Sequence, residues 1–252
     1  MFSFYSLSSG SKGNSFLFFS NRFKILIDCG ISRLKISNKL SEIGLSLTDL
    51  DAILITHEHE DHVQGLISVL DKYEVPVWMT MGTFSMLRGL EKRKINFING
   101  YKKFQISDLI CTPIVVPHDA KEPSQFTFEY NKFKFVYLTD LGHITDYIIS
   151  ESLNANVIFL EFNYDDLMME KSKYPYNLKK RINGKYGHLS NKQSLEYLKN
   201  INLDKLELLF CGHLSENNNQ FFLVEDILKD LEISKEKIHI LPQKGMQKPI
   251  SL

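Results

Sequence analysis

The stretch THEHEDH at residues 56–62 decides how the rest of this chain is interpreted. It places three histidines and three acidic residues in seven positions, directly after the apolar run Ile53-Leu54-Ile55. A solvated surface run would not need the histidines, and a protein core would not tolerate these polar groups unpaired. Imidazole and carboxylate together suit zinc, iron or manganese, whereas calcium and magnesium prefer oxygen ligands alone. The stretch therefore predicts a transition-metal site at the end of a buried strand.

The spacing within this stretch predicts two neighbouring groups of ligands. Residues 57 and 59 of an extended segment point to the same side, so His57 and His59 can reach one ion just beyond the strand. If a helix begins at about Asp61, the side chains of Asp61 and His62 point to the other side of the strand end. One short segment can therefore contribute to two adjacent metal-binding pockets.

Further ligands are expected at the ends of other strands, because one segment cannot close two coordination spheres. His118 in VVPHDA, Asp140 in VYLTDLG and His213 in LLFCGHLS each follow a run of apolar residues. Side chains displayed at the ends of a rigid sheet are well placed to form a functional site. Taken alone, a strand-end histidine is more often a hydrogen-bonded structural residue, so the argument depends on the whole set.

Length and composition predict one soluble domain. The 252 residues, 43% of them hydrophobic, suffice for a substantial core and predict a single domain over residues 1–252. Cys29, Cys111 and Cys211 form no CxxC pair, which argues against a disulfide framework and a thiolate zinc site. The first residues do not resemble a signal peptide, and no apolar run approaches the roughly 18 to 20 residues of a membrane span. A cytoplasmic location is the simplest expectation.

Charge gives only local support for a nucleic-acid partner. Thirty basic and thirty acidic side chains give a formal net charge of zero, so no overall attraction to a polyanion is expected. Basic clusters lie at Lys92-Arg93-Lys94, Lys102-Lys103 and Lys179-Lys180-Arg181, with Lys185 just beyond. Solvated helix ends and loops are the favoured explanation of the first two clusters.

The pattern of apolar residues predicts a mixed α/β fold. Segments with apolar residues three to four positions apart, such as Val63 to Leu70 and Phe222 to Leu231, predict amphipathic helices. A hairpin around Asn131 predicts antiparallel pairing within a mixed sheet. Short runs rich in β-branched and aromatic residues predict strands at residues 2–7, 15–19, 23–28, 52–56, 75–79, 110–116, 126–130, 132–138, 157–161, 206–211 and 238–241.

The ordered set of HxHxDH, then a histidine, an aspartate and a final histidine after successive strands resembles the metallo-β-lactamase-fold hydrolases. Asp28 in ILIDCG also lies where that family has an early strand-end aspartate, which would support the ligands from behind. The resemblance covers nearly the whole chain. It implies an α/β (α+β) fold, a four-layer αββα sandwich with the metals at one edge of the two sheets.

The resemblance also implies a ligand set for two divalent ions, which could be zinc, manganese or iron. The first ion would be bound by His57, His59 and His118, and the second by Asp61, His62 and His213. Asp140 would bridge the two ions. Such a pair can share a hydroxide, which would attack a phosphodiester phosphorus in line while the ions offset the developing charge.

Finer motifs narrow the resemblance to the WalJ/YycJ-type branch, which is associated with DNA exonuclease activity. These are SLSSGSKGN at 6–14, PHDA, TDLG, YPYNLKKRINGKYGHLSN at 174–191 and GHLSENN at 212–218. The implied function is a phosphodiesterase that degrades DNA as a 5′–3′ exonuclease. The chain departs from the branch at Asn163-Tyr164-Asp165, where an NHD-like triplet is expected, and this puts any substrate role of that histidine in doubt.

The implied mechanism predicts catalytic and substrate-binding roles for several residues. Asp61 would orient the attacking water or accept its proton, and His188 would assist the leaving oxygen, although capping of the helix from Ser190 would explain His188 equally well. The Ser/Gly loop could cradle a phosphate, yet a tight hairpin turn explains its glycines too. The substrate-binding residues predicted on this basis are Ser9, Ser11, Asn14, Lys179, Lys180, Arg181 and Asn191.

Three alternatives remain open. His59 and Asp61 with a distal histidine could form a mononuclear iron oxygenase site, and a single bound metal per chain would favour it. A small-molecule hydrolase acting on thioesters, lactones or cyclic nucleotides would keep the same metals and change only the pocket. A regulatory protein with a structural metal is a third alternative, although structural zinc usually fills all four positions with protein ligands. The sequence does not determine the oligomeric state.

Overall fold

The computed structural model describes residues 1–252 and divides the chain into two compact units. Unit 1 consists of Met1–Pro113, Ala120–Ser124 and Pro242–Leu252. Unit 2 consists of Ile114–Asp119 and Gln125–Leu241. The two units interleave along the chain, and a single domain over 1–252 stays a prediction.

Unit 1 contains a seven-stranded mixed sheet with the order β14-β1-β2-β3-β4-β5-β6. Its strands are β1 (Ser3–Ser8), β2 (Ser15–Phe19), β3 (Lys24–Ile27), β4 (Ala52–Leu54), β5 (Val77–Thr80), β6 (Ile95–Ile98) and β14 (Ile250–Ser251). The strands from β3 to β6 are parallel, whereas β14, β1, β2 and β3 pair antiparallel. A short hairpin joins β7 (Phe104–Ile106) to β8 (Leu109–Val115), which runs from unit 1 into unit 2.

The core of unit 1 forms where helices cover its sheet. Ile36 and Leu40, four residues apart on one helix, are buried in the same apolar cluster as Leu66 and Val69 and the strand residue Ile53. The helices of this unit are α1 (Arg33–Ser41), α2 (Glu60–Val63), α3 (Leu66–Leu70) and α4 (Met81–Met86), with a 3₁₀ turn at Leu47–Asp49.

Unit 2 contains the strands β9 (Ser124–Tyr130), β10 (Phe133–Leu138), β11 (Val157–Glu161), β12 (Leu208–Gly212) and β13 (Ile238–Ile240), in the order β13-β12-β11-β10-β9. The strands from β10 to β13 are parallel. Its helices are α5 (Asp146–Ser152), α6 (Asp166–Lys171), α7 (Tyr176–Ile182), α8 (Asn191–Lys199) and α9 (Phe221–Leu228), with a 3₁₀ turn at Lys235–Lys237. Leu198 and Val224 from two of these helices are buried with Leu160 and Leu209 from the strands. Because the strands are parallel, their carboxyl ends meet at one edge of the sheet.

The structure confirms all the predicted strands to within about two residues and adds β6, β7 and β14. The predicted hairpin around Asn131 is also confirmed, since Tyr130 pairs with Phe133 and Asn131 has a φ of 54°. The single helix predicted from Val63 to Leu70 is wrong. The segment forms two short helices that part at Gly65, whose Cα packs so closely on Ile31 that a Cβ would lie 2.1 Å from the Ile31 carbonyl oxygen. No helix is long and apolar enough to cross a membrane.

Candidate metal centre

Three polar residues end strands with an unusual backbone conformation. Asp28 follows β3, Asp140 lies two residues after β10 and His213 follows β12. Their φ angles are 61°, 57° and 54°, in the left-handed region that residues with a side chain seldom adopt. Such strain persists only where the surroundings fix it, and it concentrates at functional sites. The conformation therefore marks these strand ends as candidate site positions within each unit.

The histidines of unit 1 lie close together on the segment that follows β4. Nε2 of His57 lies 3.0 Å from Nδ1 of His59, as the alternation of an extended segment predicts. The rings of His57 and His62 are 4.1 Å apart between centroids, and both residues are buried. His59 ends the extended stretch, because α2 begins at Glu60.

Asp28 fixes the orientation of His62 from behind. Its Oδ2 lies 2.8 Å from Nδ1 of His62, and its Oδ1 accepts a 2.9 Å hydrogen bond from the Thr56 backbone N–H. Burial raises the pKa of the Asp28 carboxyl, although His62 and Thr56 oppose the rise. With Nδ1 engaged, Nε2 of His62 faces the Asp61 carboxylate at 3.4 Å. A carboxylate that holds the far nitrogen of a histidine is the usual support for a metal ligand.

Asn14 connects the Ser/Gly loop to Asp61. Its side-chain amide donates to Oδ2 of Asp61 at 3.1 Å, and its backbone N–H donates to the Asp61 carbonyl at 2.7 Å. Its side-chain oxygen accepts from the Gly10 N–H at 2.8 Å. Ser9 is buried in the same loop, whereas Ser11 is exposed. Asn14 therefore positions Asp61, and the substrate roles of Ser9, Ser11 and Asn14 stay predictions.

Gly30 permits the close approach of the loop and Asp61. A Cβ at Gly30 would lie 1.7 Å from the Asp61 carbonyl oxygen and 2.5 Å from the Asn14 nitrogen. We expect Gly30→Ala to lower the free energy of unfolding by about 2 kcal/mol, because these backbones must move apart. Urea unfolding would measure the loss, and any nuclease activity should fall with it.

Gly44 offers a control for Gly30→Ala. A Cβ at Gly44 meets nothing within 4 Å, and only its φ of 75° disfavours a side chain. Gly44→Ala should therefore cost about 1 kcal/mol of backbone strain without loss of activity. Equal losses of activity in both variants would contradict the role assigned to Gly30.

His118 of unit 2 has both ring nitrogens engaged. Its Nδ1 donates to the Gly187 carbonyl at 3.0 Å, and its Nε2 lies 3.8 Å from Oδ1 of Asp140 and 3.5 Å from Oδ1 of Asp119. Burial holds the pKa of His118 below its usual value, although the two carboxylates oppose this. The neutral imidazole thus favoured is the form that binds a metal.

Asp140, His188 and His213 form a compact group in unit 2. One ligand atom from each lies within 4.8 Å of the others, and Oδ1 of Asp140 lies 3.5 Å from Nε2 of His213. The Asn163 amide nitrogen lies 3.0 Å from Nδ1 of His213 and donates to the His213 carbonyl at 3.0 Å. The catalytic candidate His188 therefore lies beside two predicted metal ligands.

Glu161 is a site residue that the sequence analysis missed. It ends β11 and is fully buried. Its Oε1 accepts from the backbone N–H groups of Leu141 at 2.5 Å and Leu189 at 3.2 Å, and its Oε2 lies 3.1 Å from Nδ1 of His188. Burial alone would raise the pKa of Glu161, but His188 and His213 outweigh burial and hold the pKa below its usual value. The signal was present, since Glu161 is an acid at the end of an apolar strand, as Asp28 is.

The structure gives different surroundings to the predicted substrate residues of unit 2. The ammonium of Lys179 donates to the Glu170 carbonyl at 2.7 Å, and Arg181 pairs with Asp119. Lys180 is exposed. Asn191 is buried, and its side-chain amide exchanges two hydrogen bonds with that of Asn219. The substrate roles of these residues stay predictions.

Tyr164 occupies the position where a histidine was expected. It is only 4% exposed and forms an isolated bridge with Ser190. Burial, assisted by the charges of Asp166 and Glu161, raises the pKa of Tyr164 to about 12. A phenol that stays protonated cannot replace the proton chemistry of a histidine near neutral pH.

The donors in each unit suit a divalent transition metal. Imidazole nitrogens and carboxylate oxygens dominate both groups, and in His62, His118 and His213 the Nδ1 atom is held by a protein group. This arrangement fixes the tautomer and the ring plane that coordination requires. Zinc, manganese and iron all accept such donors. The buried cysteines are unsuited as ligands, because burial raises the pKa of the thiols of Cys29 and Cys211.

Comparisons with known proteins agree with this chemistry. The profile of the β-lactamase superfamily domain matches residues 24–210. The chain is 34% identical over 219 residues to the exodeoxyribonuclease WalJ of Streptococcus pneumoniae, covering 84% of this chain and 81% of that protein. It is 30% identical over 219 residues to the exodeoxyribonuclease YycJ of Bacillus anthracis, covering 84% and 82%.

Among solved structures, the metallo-β-lactamase-fold protein YhfI of Bacillus subtilis matches with a TM-score of 0.76 and 14% sequence identity. The match covers 100% of both chains. At this identity the match concerns the fold alone, and it confirms the fold class that the strand-end motifs imply.

Proposed function

Because this chain belongs to the β-lactamase superfamily, in its WalJ/YycJ branch, and is a metal-dependent hydrolase, we propose that it degrades DNA as an exonuclease acting from the 5′ end. Identities of 34% and 30% across 84% of the chain to two exodeoxyribonucleases support the choice of DNA as the substrate. The imidazole and carboxylate groups at the strand ends support the choice of a metal-dependent hydrolytic reaction.

The proposal includes two divalent ions. When bound, they would supply Lewis-acid activation of a water and offset the charge that develops on the phosphoryl oxygens. Zinc, manganese and iron are the candidates. The residues that would hold the ions are those named from the sequence, His57, His59, Asp61, His62, His118, Asp140 and His213.

Asp61 orients the attacking water and accepts its proton in this proposal. Its carboxylate is half-buried, and the Asn14 amide holds one of its oxygens at 3.1 Å. That contact restricts the rotation of the Asp61 carboxylate. The carboxylate can therefore accept the proton of the attacking water in a fixed orientation. A positioned base of this kind typically contributes on the order of 10²- to 10⁴-fold in rate.

His188 passes a proton to the leaving oxygen in this proposal. The Glu161 carboxylate holds Nδ1 of His188 at 3.1 Å, so Nε2 is the nitrogen that carries the proton to substrate. The buried Glu161 carboxylate fixes the orientation of the ring that this step requires. As the phosphorus–oxygen bond to the leaving group breaks, the leaving oxygen gains the proton and departs neutral.

Removal of the metal tests the proposal. We expect treatment with a chelator to abolish degradation of linear single-stranded DNA labelled at its 3′ end, and Mn²⁺ or Zn²⁺ to restore it. Elemental analysis of gently purified protein should give two metals per chain. A circular strand of the same sequence offers a matched control without an end, and it should remain intact.

Other outcomes would select the alternatives. Cleavage of the circle at the same rate would contradict an exonuclease. Two metals per chain without cleavage of any nucleic acid would favour a small-molecule hydrolase. One iron per chain without cleavage would favour an oxygenase.

A further inference from the structure

Residues 171–187, here called the basic segment, are unlike the rest of the chain in charge. They contain Lys171, Lys173, Lys179, Lys180, Arg181 and Lys185 and no acidic residue, although the whole chain has a formal net charge of zero. They also contain the tyrosines Tyr174, Tyr176 and Tyr186. Such a concentration of cations and aromatic rings is a common composition of surfaces that bind single-stranded nucleic acid.

Some side chains of the basic segment are held by contacts within the protein, whereas others are exposed to solvent. Lys179 and Arg181 are held by Glu170 and Asp119, and the Tyr174 hydroxyl accepts a 3.0 Å hydrogen bond from Asn217. By contrast, Tyr176 is 76% exposed and Tyr186 is 61% exposed. Lys171, Lys173, Lys180 and Lys185 are exposed as well. Two large rings therefore lie in solvent among cations.

The turn that carries Tyr186 is firmly held. The Tyr186 carbonyl accepts a 3.0 Å hydrogen bond from the Asp119 N–H. Gly142 packs against the turn so closely that a Cβ would lie 2.5 Å from the Tyr186 nitrogen. The next residue, Gly187, accepts the hydrogen bond from Nδ1 of the predicted metal ligand His118. An exposed ring on a fixed backbone thus lies one residue from a contact that orients His118.

Tyr176 and Lys180 are four residues apart on α7 and so lie on the same face of that helix. In the turn, Tyr186 and Lys185 are adjacent in sequence, and both are exposed. The charge complements a polyanion, and the rings complement flat bases. A duplex would meet only the cations, because its bases are already paired and stacked, whereas an unpaired strand offers both phosphates and base faces.

We propose that the basic segment binds a single-stranded DNA end, with Tyr176 and Tyr186 stacking on unpaired bases and Lys180 and Lys185 contacting the phosphates. The inference rests on the proposed exonuclease function and deepens it, because it names the strand state that the enzyme engages. Tyr186 adjoins Gly187, whose carbonyl holds His118, so the base stacked on Tyr186 lies beside the predicted metal ligand.

The test measures binding of a 20-nucleotide phosphorothioate strand, which resists degradation, with a fluorophore at its 3′ end so that the 5′ end is free. We expect the metal-loaded protein to bind this strand more tightly than a blunt duplex of the same sequence. Tyr186→Ala should raise Kd for the single strand about 5- to 100-fold, and Tyr176→Ala should also raise it, by the loss of one stacked base each. Neither variant should change Kd for the duplex more than about twofold.

Two variants separate stacking from a general loss of structure. Tyr186→Phe keeps the ring and should bind as the wild type does. Phe222→Ala removes a ring that is 58% exposed on α9, where the neighbouring charges are Glu225 and Asp226, and it too should bind normally. Replacing both Lys180 and Lys185 with Gln should reduce the salt dependence of binding by a slope of about 1.4, from roughly 0.7 per cation.

The outcomes distinguish a failure of this inference from a failure of the proposed exonuclease function. If the wild type degrades linear DNA but Tyr186→Ala binds the single strand normally, or loses equal affinity for the duplex, this inference is wrong and the exonuclease proposal survives. If the wild type neither binds nor degrades DNA, both are wrong. A selective loss of single-strand binding that Tyr186→Phe restores would establish the stacking.

Discussion

Asp61→Asn is expected to slow the degradation of linear DNA by on the order of 10²- to 10⁴-fold while the protein remains folded. The substitution preserves the volume of the side chain and an oxygen that can accept the hydrogen bond from Asn14. It removes the negative charge and the basicity that the proposed proton transfer requires. The rate of nucleotide release from a 3′-labelled strand would measure the effect.

A neighbouring acid provides the control for Asp61→Asn. Glu60 is exposed in the first turn of α2, so Glu60→Gln makes the same change of charge one residue away and should keep the wild-type rate. Metal content should be measured for both variants, because loss of a ligand and loss of a base slow the reaction for different reasons. A normal rate in Asp61→Asn with normal metal content would contradict the proposed role.

Glu161→Ala is expected to lower the free energy of unfolding by about 3–5 kcal/mol, as removal of one partner from a buried charged network does. The carboxylate is fully buried and binds the backbone N–H groups of Leu141 and Leu189 as well as His188. Alanine would leave those donors without an acceptor in a region that water does not reach. A shift of the urea midpoint at constant slope would report the loss.

Two further variants separate the structural role of Glu161 from its role in the reaction. Glu161→Gln keeps an oxygen for the backbone donors and should lose less stability than Glu161→Ala, yet it removes the negative charge beside His188. His188→Ala should cost about 1 kcal/mol, because its side chain is 20% exposed, and should slow degradation about 100-fold. Equal unfolding midpoints for Glu161→Ala and the wild type would contradict the network.

Local spacing predicted the parts of the site that depend on neighbours in sequence. The alternation of side chains along an extended segment placed His57 and His59 together, and apolar runs located the strands after which Asp140 and His213 appear. Sequence periodicity carries this information because the side chains of a strand alternate by geometry alone. The resemblance to a family assigned His118, Asp140 and His213 to the two predicted pockets, which the spacing of residues 57–62 did not provide.

Contacts between distant residues could not be predicted. The hydrogen bond from Asn14 to Asp61 joins residues that are 47 positions apart, and nothing in a Ser/Gly loop indicates that partner. The charges of Lys179 and Arg181 looked equivalent to that of Lys180, yet only the structure shows two of them held by Glu170 and Asp119. The edge strands β6, β7 and β14 were missed because their short runs carry little pattern beyond that of a loop.

The left-handed backbone at Asp28, Asp140 and His213 limits which residues could replace them. A residue with a side chain costs about 1–2 kcal/mol in that conformation, which glycine adopts readily and asparagine, aspartate and histidine adopt more often than other residues. A β-branched residue at any of the three positions would meet the largest steric penalty. Laboratory libraries that vary these three positions and select only for folding should therefore be enriched in asparagine and glycine. Substitutions at Asp140 or His213 that aim to favour a different metal would need compensating changes in the turns that follow the strands.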